Sequence, residues 1–318
     1  MKQIRYTAYG TPDVMQRMDV EQPKPDKGEV LIKVKAAGIN ELDWKIRSGN
    51  LKMQDGKDFP KLMGCELAGE VAALGEGVEG FAVGDAVFGW IPFSKLGAFA
   101  EYAVTQQDLL WPKPASLSFA EAAALPMAGT TALQALTKEV SLAPGKKVLI
   151  NGATGGVGHF AVQIAHAHGA EVTAVAGTEH VEFAKKLGAD VVVDYHERDI
   201  KESSDRYDVI LDTSKKLPWE AGKKLLKEHG TYLDLQPGLK AFIGSFLQNA
   251  FSSKEHDVLG VEVKQADLKA LAALIENGQL AVSVDRVFDF SEAVSAIASI
   301  EDGSVSIAGK AVLSMDSD

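Results

Sequence analysis

An α/β fold is predicted by three features of the sequence. Short apolar runs punctuated by glycine fill the first third of the chain, which reads as a small barrel or sandwich. From Lys147 onward, apolar strands alternate with helical segments, as a parallel sheet covered by helices on both faces requires. A glycine-rich turn joins the first of those strands to its helix. With 318 residues, no internal repeat and no low-complexity linker, the chain is expected to form two closely packed domains.

The elements follow in order. Gly28 to Ala37 alternates polar and apolar positions as a half-buried strand does. Leu67 to Leu74 and Asp85 to Trp90 are short apolar strands, with Gly75, Gly77, Gly80 and Gly84 between them. Phe119 to Lys138 is rich in alanine and helix-prone, with a break expected at Pro126 and Gly129. Strands are predicted at Lys147 to Asn151, Ala170 to Ala176, Ala189 to Tyr195, Tyr207 to Thr213 and Gly230 to Leu235. Helices are predicted at Phe160 to His168, Val181 to Leu187 and Trp219 to Glu228. The tail adds a helix at Gln265 to Asn277 ended by Gly278, a strand at Val282 to Phe288, a helix at Ser291 to Ile300 and a strand at Gly309 to Leu313.

Charge and cysteine usage exclude several function classes. Lys plus Arg is 33 and Asp plus Glu is 44, a net charge of −11, which argues against nucleic acid and anionic membrane as main partners. Cys65 is the single cysteine, so neither a disulfide within the chain nor a site of several thiolates is available. A reducing, cytoplasmic compartment fits that usage. No apolar stretch is long enough for a membrane span, and the start, MKQIRYTAYGTPD, lacks the order of a secretory signal.

Val148 to Gly158 reads VLINGATGGVG. Gly155, Gly156 and Gly158 allow a sharp turn and close approach to a pyrophosphate, which the free N–H groups and dipole of the next helix favour. Ala153 stands at the first glycine position of G-x-G-x-x-G, and Val157 precedes the helix. The strand before, the helix after and the second strand ending at Ala176 supply the context of a dinucleotide site rather than of a bare tight turn. There is no GK[ST], no Tyr-x-x-x-Lys and no G-x-S-x-G, which removes P-loop, short-chain reductase and nucleophile-elbow chemistry. The end of the second strand reads Val175-Ala176-Gly177-Thr178. No acidic residue stands at the strand end, and Thr178 and His180 lie nearby, so NADPH is expected over NADH. Glu179 is a counter-signal.

Several motifs in order resemble one family across nearly the whole chain. They are GxNxxDxxxRSG from Gly38 to Gly49, GxExxGxV from Gly64 to Val71, ALPMAGTTALQAL, VLINGATGGVG and KKLGADVVVDY. The chain resembles the medium-chain dehydrogenase/reductase superfamily, and within it the zinc-free quinone oxidoreductase and enone reductase branch. The resemblance implies a Rossmann doubly wound parallel sheet at 118–264. It also implies a GroES-like β-rich catalytic domain made from 1–117 and 265–318, an active site in the cleft, and a homodimer. Zinc-dependent relatives place metal ligands at positions matching Asn40, Cys65 and Met127 here. Asn and Met are poor zinc ligands, so no metal is expected.

The resemblance also implies a metal-free reaction. An already electrophilic acceptor, a quinone or an α,β-unsaturated carbonyl, takes hydride from NADPH while the protein orients it and hydrogen-bonds the developing oxyanion. Asn40, Asp43 and Lys45 are the expected catalytic group. Asn40 hydrogen-bonds the carbonyl or the nicotinamide ribose, Asp43 orients its neighbours, and Lys45 donates a hydrogen bond, relays a proton or is a plain surface lysine. Leu51 stands where relatives often carry Tyr, which leaves water as the alternative proton source. Thr130, Gly309 and Lys310 are expected near the nicotinamide and Tyr195 near the adenosine phosphate. Asp212, Thr213 and Leu235 are expected at strand ends beside the cofactor. Ser214-Lys215-Lys216 departs from the small glycines usual in the family. A second functional reading is an NADPH-binding sensor or structural partner with little turnover. The acceptor itself is not legible, nor is the role of the apolar segment 239–253.

Overall fold

A computed structural model describes residues 1–51, 58–235, 254–258 and 260–315. The apolar segment 239–253 and positions 52–57 lie outside the described residues. The chain divides into two compact units: Met1–Met127 with Val263–Glu276 and Val282–Asp318, and Ala128–Glu262 with Asn277–Ala281. The expected boundary at 117/118 precedes a helix that packs on the first unit's sheet, so the division falls some ten residues later, after Met127.

The first unit is built on two sheets. One has the order β2-β1-β4, with β1 at Lys2–Tyr6, β2 at Met15–Asp19 and β4 at Lys61–Leu62. The other is centred on the long strand β3, Glu29–Ile39, which pairs antiparallel with β5 (Glu66–Leu74), β7 (Tyr102–Gln106) and β16 (Lys310–Ser314). β6 (Ala86–Trp90), β8 (Leu110–Pro112) and β15 (Val284–Asp289) extend it. Pairing of β16 with β3 brings Lys310, 270 residues distant in sequence, against Ile39 and Asn40. The core between the strands contains Ile4, Ile32, Leu67, Phe99 and Leu313, all fully buried. Each such side chain contributes roughly 1.5–3 kcal/mol.

Helix α1, Glu41–Arg47, follows β3 directly. It is anchored by Arg47, fully buried, whose guanidinium donates to both carboxylate oxygens of Glu301 at 2.7 Å. The alanine-rich segment forms α2, Phe119–Ala123, and α3, Pro126–Thr137. Ser118 and Glu121 cap α2 reciprocally. The expected break falls at Pro126: α2 ends at Ala123 and Pro126 opens α3, because the first helical position needs no N–H donor. Gly129, also expected at the break, lies inside α3, where glycine costs only about 1 kcal/mol.

The second unit holds a six-stranded sheet in which every neighbouring pair is parallel. Its strands are β9 (Lys147–Asn151), β10 (Glu171–Ala176), β11 (Val191–Asp194), β12 (Tyr207–Asp212), β13 (Leu226–Asp234) and β14 (Glu255–Val258). Their spatial order is β11-β10-β9-β12-β13-β14, the doubly wound arrangement. Val148, Leu149 and Ile150 are all fully buried, as a strand covered on both faces demands. Helices α4 (Gly158–Ala167), α5 (Val181–Lys186) and α6 (Trp219–Leu225) connect the strands. α6 stops three residues before the expected Glu228: Leu226 is buried, opens β13 and pairs with Tyr207, while Lys227 bonds Asp208 at 2.7 Å. α7, Gln265–Glu276, ends before Gly278, which has φ +69°, and α8 spans Ala293–Glu301. No described helix is long and apolar enough to cross a membrane.

Candidate functional site

In the first unit the chemistry-bearing residues gather where β3 runs into α1. Lys310 is almost fully buried, and its ammonium donates to Asn40 Oδ1 at 2.6 Å, Glu66 Oε1 at 2.8 Å and the Ile39 carbonyl at 3.1 Å. Those are three acceptors for three protons. Lys310, expected beside the nicotinamide, is therefore committed to the protein itself. Glu66, fully buried, receives the Asn40 Nδ2 amide at 2.7 Å on one oxygen and the Met127 N–H at 2.7 Å on the other. The Asn40 carboxamide is thereby held at both ends, which fixes which face carries oxygen and which carries nitrogen. Glu66 was not among the expected site residues. Its signal was an acid inside the apolar run CELAGEV, where a buried charge demands a partner.

Asp43 is buried and accepts the Asn40 N–H at 2.8 Å. Burial, reinforced by the nearby Glu66 carboxylate, pushes its carboxyl up to about 7, against the pull of the Asn40 N–H and Lys310. Lys45 lies two residues further along α1 and pairs with Glu41 at 3.3 Å, partly exposed. The structure thus brings Asn40, Asp43 and Lys310 together and gives Lys45 a separate partner.

The zinc reading can be tested on the same residues. Cys65 is buried among Ile46, Trp90 and Leu96, with Met127 and Leu51 at the edge of that cluster. Burial and the Asp43 and Glu66 carboxylates push its thiol well above the usual range, which opposes the thiolate a metal needs. Among the described residues no group of three or more His, Cys, Asp or Glu side chains converges as metal ligands would. An amide, a protonated thiol and a thioether do not make a zinc site.

In the second unit the strand order reverses between β9 and β12, and the turn 152–157 sits at that point. Ligands in open parallel sheets bind there. Gly152 has φ +82°. A side chain at Gly158 would place its Cβ 2.1 Å from the Gly152 oxygen, so only glycine lets α4 start this close to the strand. Ala153 is buried and donates its N–H to Val175, and Gly155, Gly156 and Val157 complete the turn. The Thr130 hydroxyl, on α3, is fully buried and has no hydrogen-bond partner among the described residues. An orphaned hydroxyl is destabilising unless a ligand uses it. The glycine cradle and this orphan fit a bound dinucleotide.

The other expected cofactor contacts divide into two sets. Asp212 accepts from Asn151, Ser214, Lys215, Leu217 and Tyr232, and Thr213 donates to the carbonyls of Asn151 and Gly152. Both shape the turn and the loop after β12 instead of offering groups outward. Gly309, with φ +88°, turns the chain tightly past Ser283 into β16. Leu235 follows β13 directly. Ala176 ends β10, Gly177 is extended, and Thr178–His180 forms a single turn. Tyr195 donates its N–H to the Ala176 carbonyl and is half exposed.

Comparison with known proteins places the chain among its relatives. Residues 26–115 match the alcohol dehydrogenase GroES-like domain, and residues 187–313 match the zinc-binding dehydrogenase domain. The chain is 36% identical over 314 residues to the chloroplastic quinone-oxidoreductase QR1 of Triphysaria versicolor, covering 95% of each chain. It is 33% identical to the chloroplastic NADPH-dependent alkenal/one oxidoreductase of Arabidopsis thaliana, covering 95% of this chain and 76% of that one. The crystal structure of Escherichia coli quinone oxidoreductase complexed with NADPH superposes with a TM-score of 0.86 at 26% identity, covering 99% of this chain and all of that one.

Proposed function

The chain belongs to the medium-chain dehydrogenase/reductase superfamily, and from that premise we propose that it is an NADPH-dependent oxidoreductase acting on small quinones or α,β-unsaturated carbonyls. The observation that carries this reading is the glycine-built turn at the switch point of the doubly wound sheet, with the orphaned Thr130 hydroxyl in the same unit. NADPH, when bound, supplies the hydride. Gly155, Gly156, Val157 and Gly158 hold its pyrophosphate, and Ala153 keeps the turn close to β10.

The acceptor's carbonyl carbon framework receives charge that its own conjugation spreads onto oxygen, so a Lewis acid is dispensable. Asn40 orients the acceptor through its fixed carboxamide. Asp43 is a positioning residue that holds the first turn of α1. Lys45, paired with Glu41 and partly exposed, donates a hydrogen bond to the developing oxyanion or relays a proton. We assign no metal, on the donor set Asn40, Cys65 and Met127.

We further propose a homodimer and a cytoplasmic location, the latter on the single buried cysteine; the plant relatives above are named chloroplastic. The test of the function is the rate of NADPH oxidation with a small quinone and with an alkenal, with NADH in parallel and the zinc content measured. Turnover with NADPH well above NADH and far less than one zinc per chain supports the reading. NADPH binding without reduction of either acceptor moves the low-turnover binding protein ahead. Light scattering decides the dimer.

A further inference from the structure

The end of the second unit's sheet presents an electrostatic problem. The Thr178 hydroxyl, expected to meet the cofactor, donates instead to the Asp194 carboxylate and holds it below the usual carboxylate range. Glu179 folds back over Gly177: a Cβ there would lie 3.0 Å from its carboxylate and 3.0 Å from the Tyr195 hydroxyl. Asp194 and Glu179 thus put two carboxylates where the adenosine ribose of a dinucleotide is recognised. His180, on the same turn, places its Nε2 3.6 Å from the Glu179 carboxylate.

A cation arrives from the far side of the switch point. Asp212 gathers the N–H groups of Ser214, Lys215 and Leu217, and Lys215 takes φ +64°, so the loop after β12 is tightly built. Lys216 leaves that loop and places its ammonium 5.8 Å from the centre of the Tyr195 ring. β12 and β11 are three strand spacings apart, about 14 Å. Lys216 and Tyr195 therefore meet across the C-terminal ends of β9 and β10. Among the described residues the Lys216 ammonium has no carboxylate within ion-pair distance. We propose that Lys216 determines cofactor choice by supplying the positive charge that receives the 2′-phosphate of NADPH, beside the Tyr195 hydroxyl. The proposal rests on the NADPH reading above. It gives Lys216, in the loop that departs from the family's small glycines, a specific role, which is to offset the negative charge of Asp194 and Glu179.

Calorimetric titration of the full chain with 2′,5′-ADP and with 5′-AMP tests it without turnover. The two ligands differ only in the 2′-phosphate. Lys216→Gln is expected to weaken 2′,5′-ADP binding about tenfold or more, the worth of a charge-assisted hydrogen bond. It is expected to leave 5′-AMP within about twofold, which also reports that the variant is folded. Lys216→Arg keeps most of the 2′,5′-ADP affinity. If the unsubstituted protein binds 2′,5′-ADP no more tightly than 5′-AMP, the NADPH reading itself is overturned. If it discriminates and Lys216→Gln discriminates equally, or loses both ligands equally, the role of Lys216 alone is overturned.

Discussion

Replacing Lys310 by Met tests whether the buried ion pair organises the Asn40 site. The Lys310 side chain is 4% exposed and that of Glu66 is fully buried, so water cannot replace the lost ammonium. Methionine fills much of the lysine stem, which isolates the loss of charge from the loss of volume. Glu66 keeps the Asn40 amide and the Met127 N–H, but neither carries a full positive charge. Removing one partner of a buried pair costs about 3–5 kcal/mol, because the other charge is stranded. The chain has four tryptophans, and Trp219 is the one in the second unit. In a Trp219→Phe background, fluorescence during urea unfolding therefore follows the first unit alone. Lys310→Met is expected to lower that transition by the stated amount, and Glu66→Gln by less. The double variant is expected to be more stable than the sum of the two losses by at least about 1 kcal/mol, as contacting residues are. A Lys310→Met transition within about 1 kcal/mol of the parent, or strictly additive losses, would refute the argument.

Three further outcomes are expected. Thr130→Val removes a hydroxyl that has no partner among the described residues, so stability should stay level or rise by about 1 kcal/mol, while NADPH affinity measured by fluorescence titration falls roughly fivefold. Gly158→Ala sets a methyl group 2.1 Å from the Gly152 oxygen, a collision with backbone that cannot rotate away. It should cost roughly 1–3 kcal/mol in thermal unfolding and weaken NADPH binding about tenfold or more. Asp43 has a carboxyl raised from 3.8 to about 7, so between those values the folded chain keeps a proton that the unfolded chain has released. Its contribution to stability is therefore largest below pH 4, falls by roughly 4 kcal/mol as pH rises to 7, and is flat above. Asp43→Asn should remove most of that slope in unfolding measured from pH 4 to 8, and an unchanged slope would dismiss Asp43 as its source.

Local sequence carried much of the fold because its signals are local. β9 has the predicted bounds, since an apolar run bounded by Pro144-Gly145 and the glycine turn leaves little freedom. Capping by Ser118 and Glu121 and the stop near Gly278 are likewise written in a few neighbouring residues. Errors fell where distant partners intervene. Leu226 leaves α6 because it pairs with Tyr207. The departure Ser214-Lys215-Lys216 was visible as an oddity, but its direction depends on the Asp212 carboxylate that gathers the loop.

By itself, then, the sequence determined the alternation of strands and helices, the glycine turn and the side-chain types at Asn40, Cys65 and Met127. Periodicity, turn chemistry and ligand type depend on residue identity at close spacing. Only the tertiary structure decided which polar groups are spent on the protein and which remain for a ligand. Lys310 meets Asn40 because β16 pairs with β3, Asp212 is saturated because strands β9, β12 and β13 lie side by side, and Thr130 keeps an unused hydroxyl. Hydrogen-bond saturation is a property of groups brought together from far along the chain. Burial then makes every unspent donor costly, and so informative.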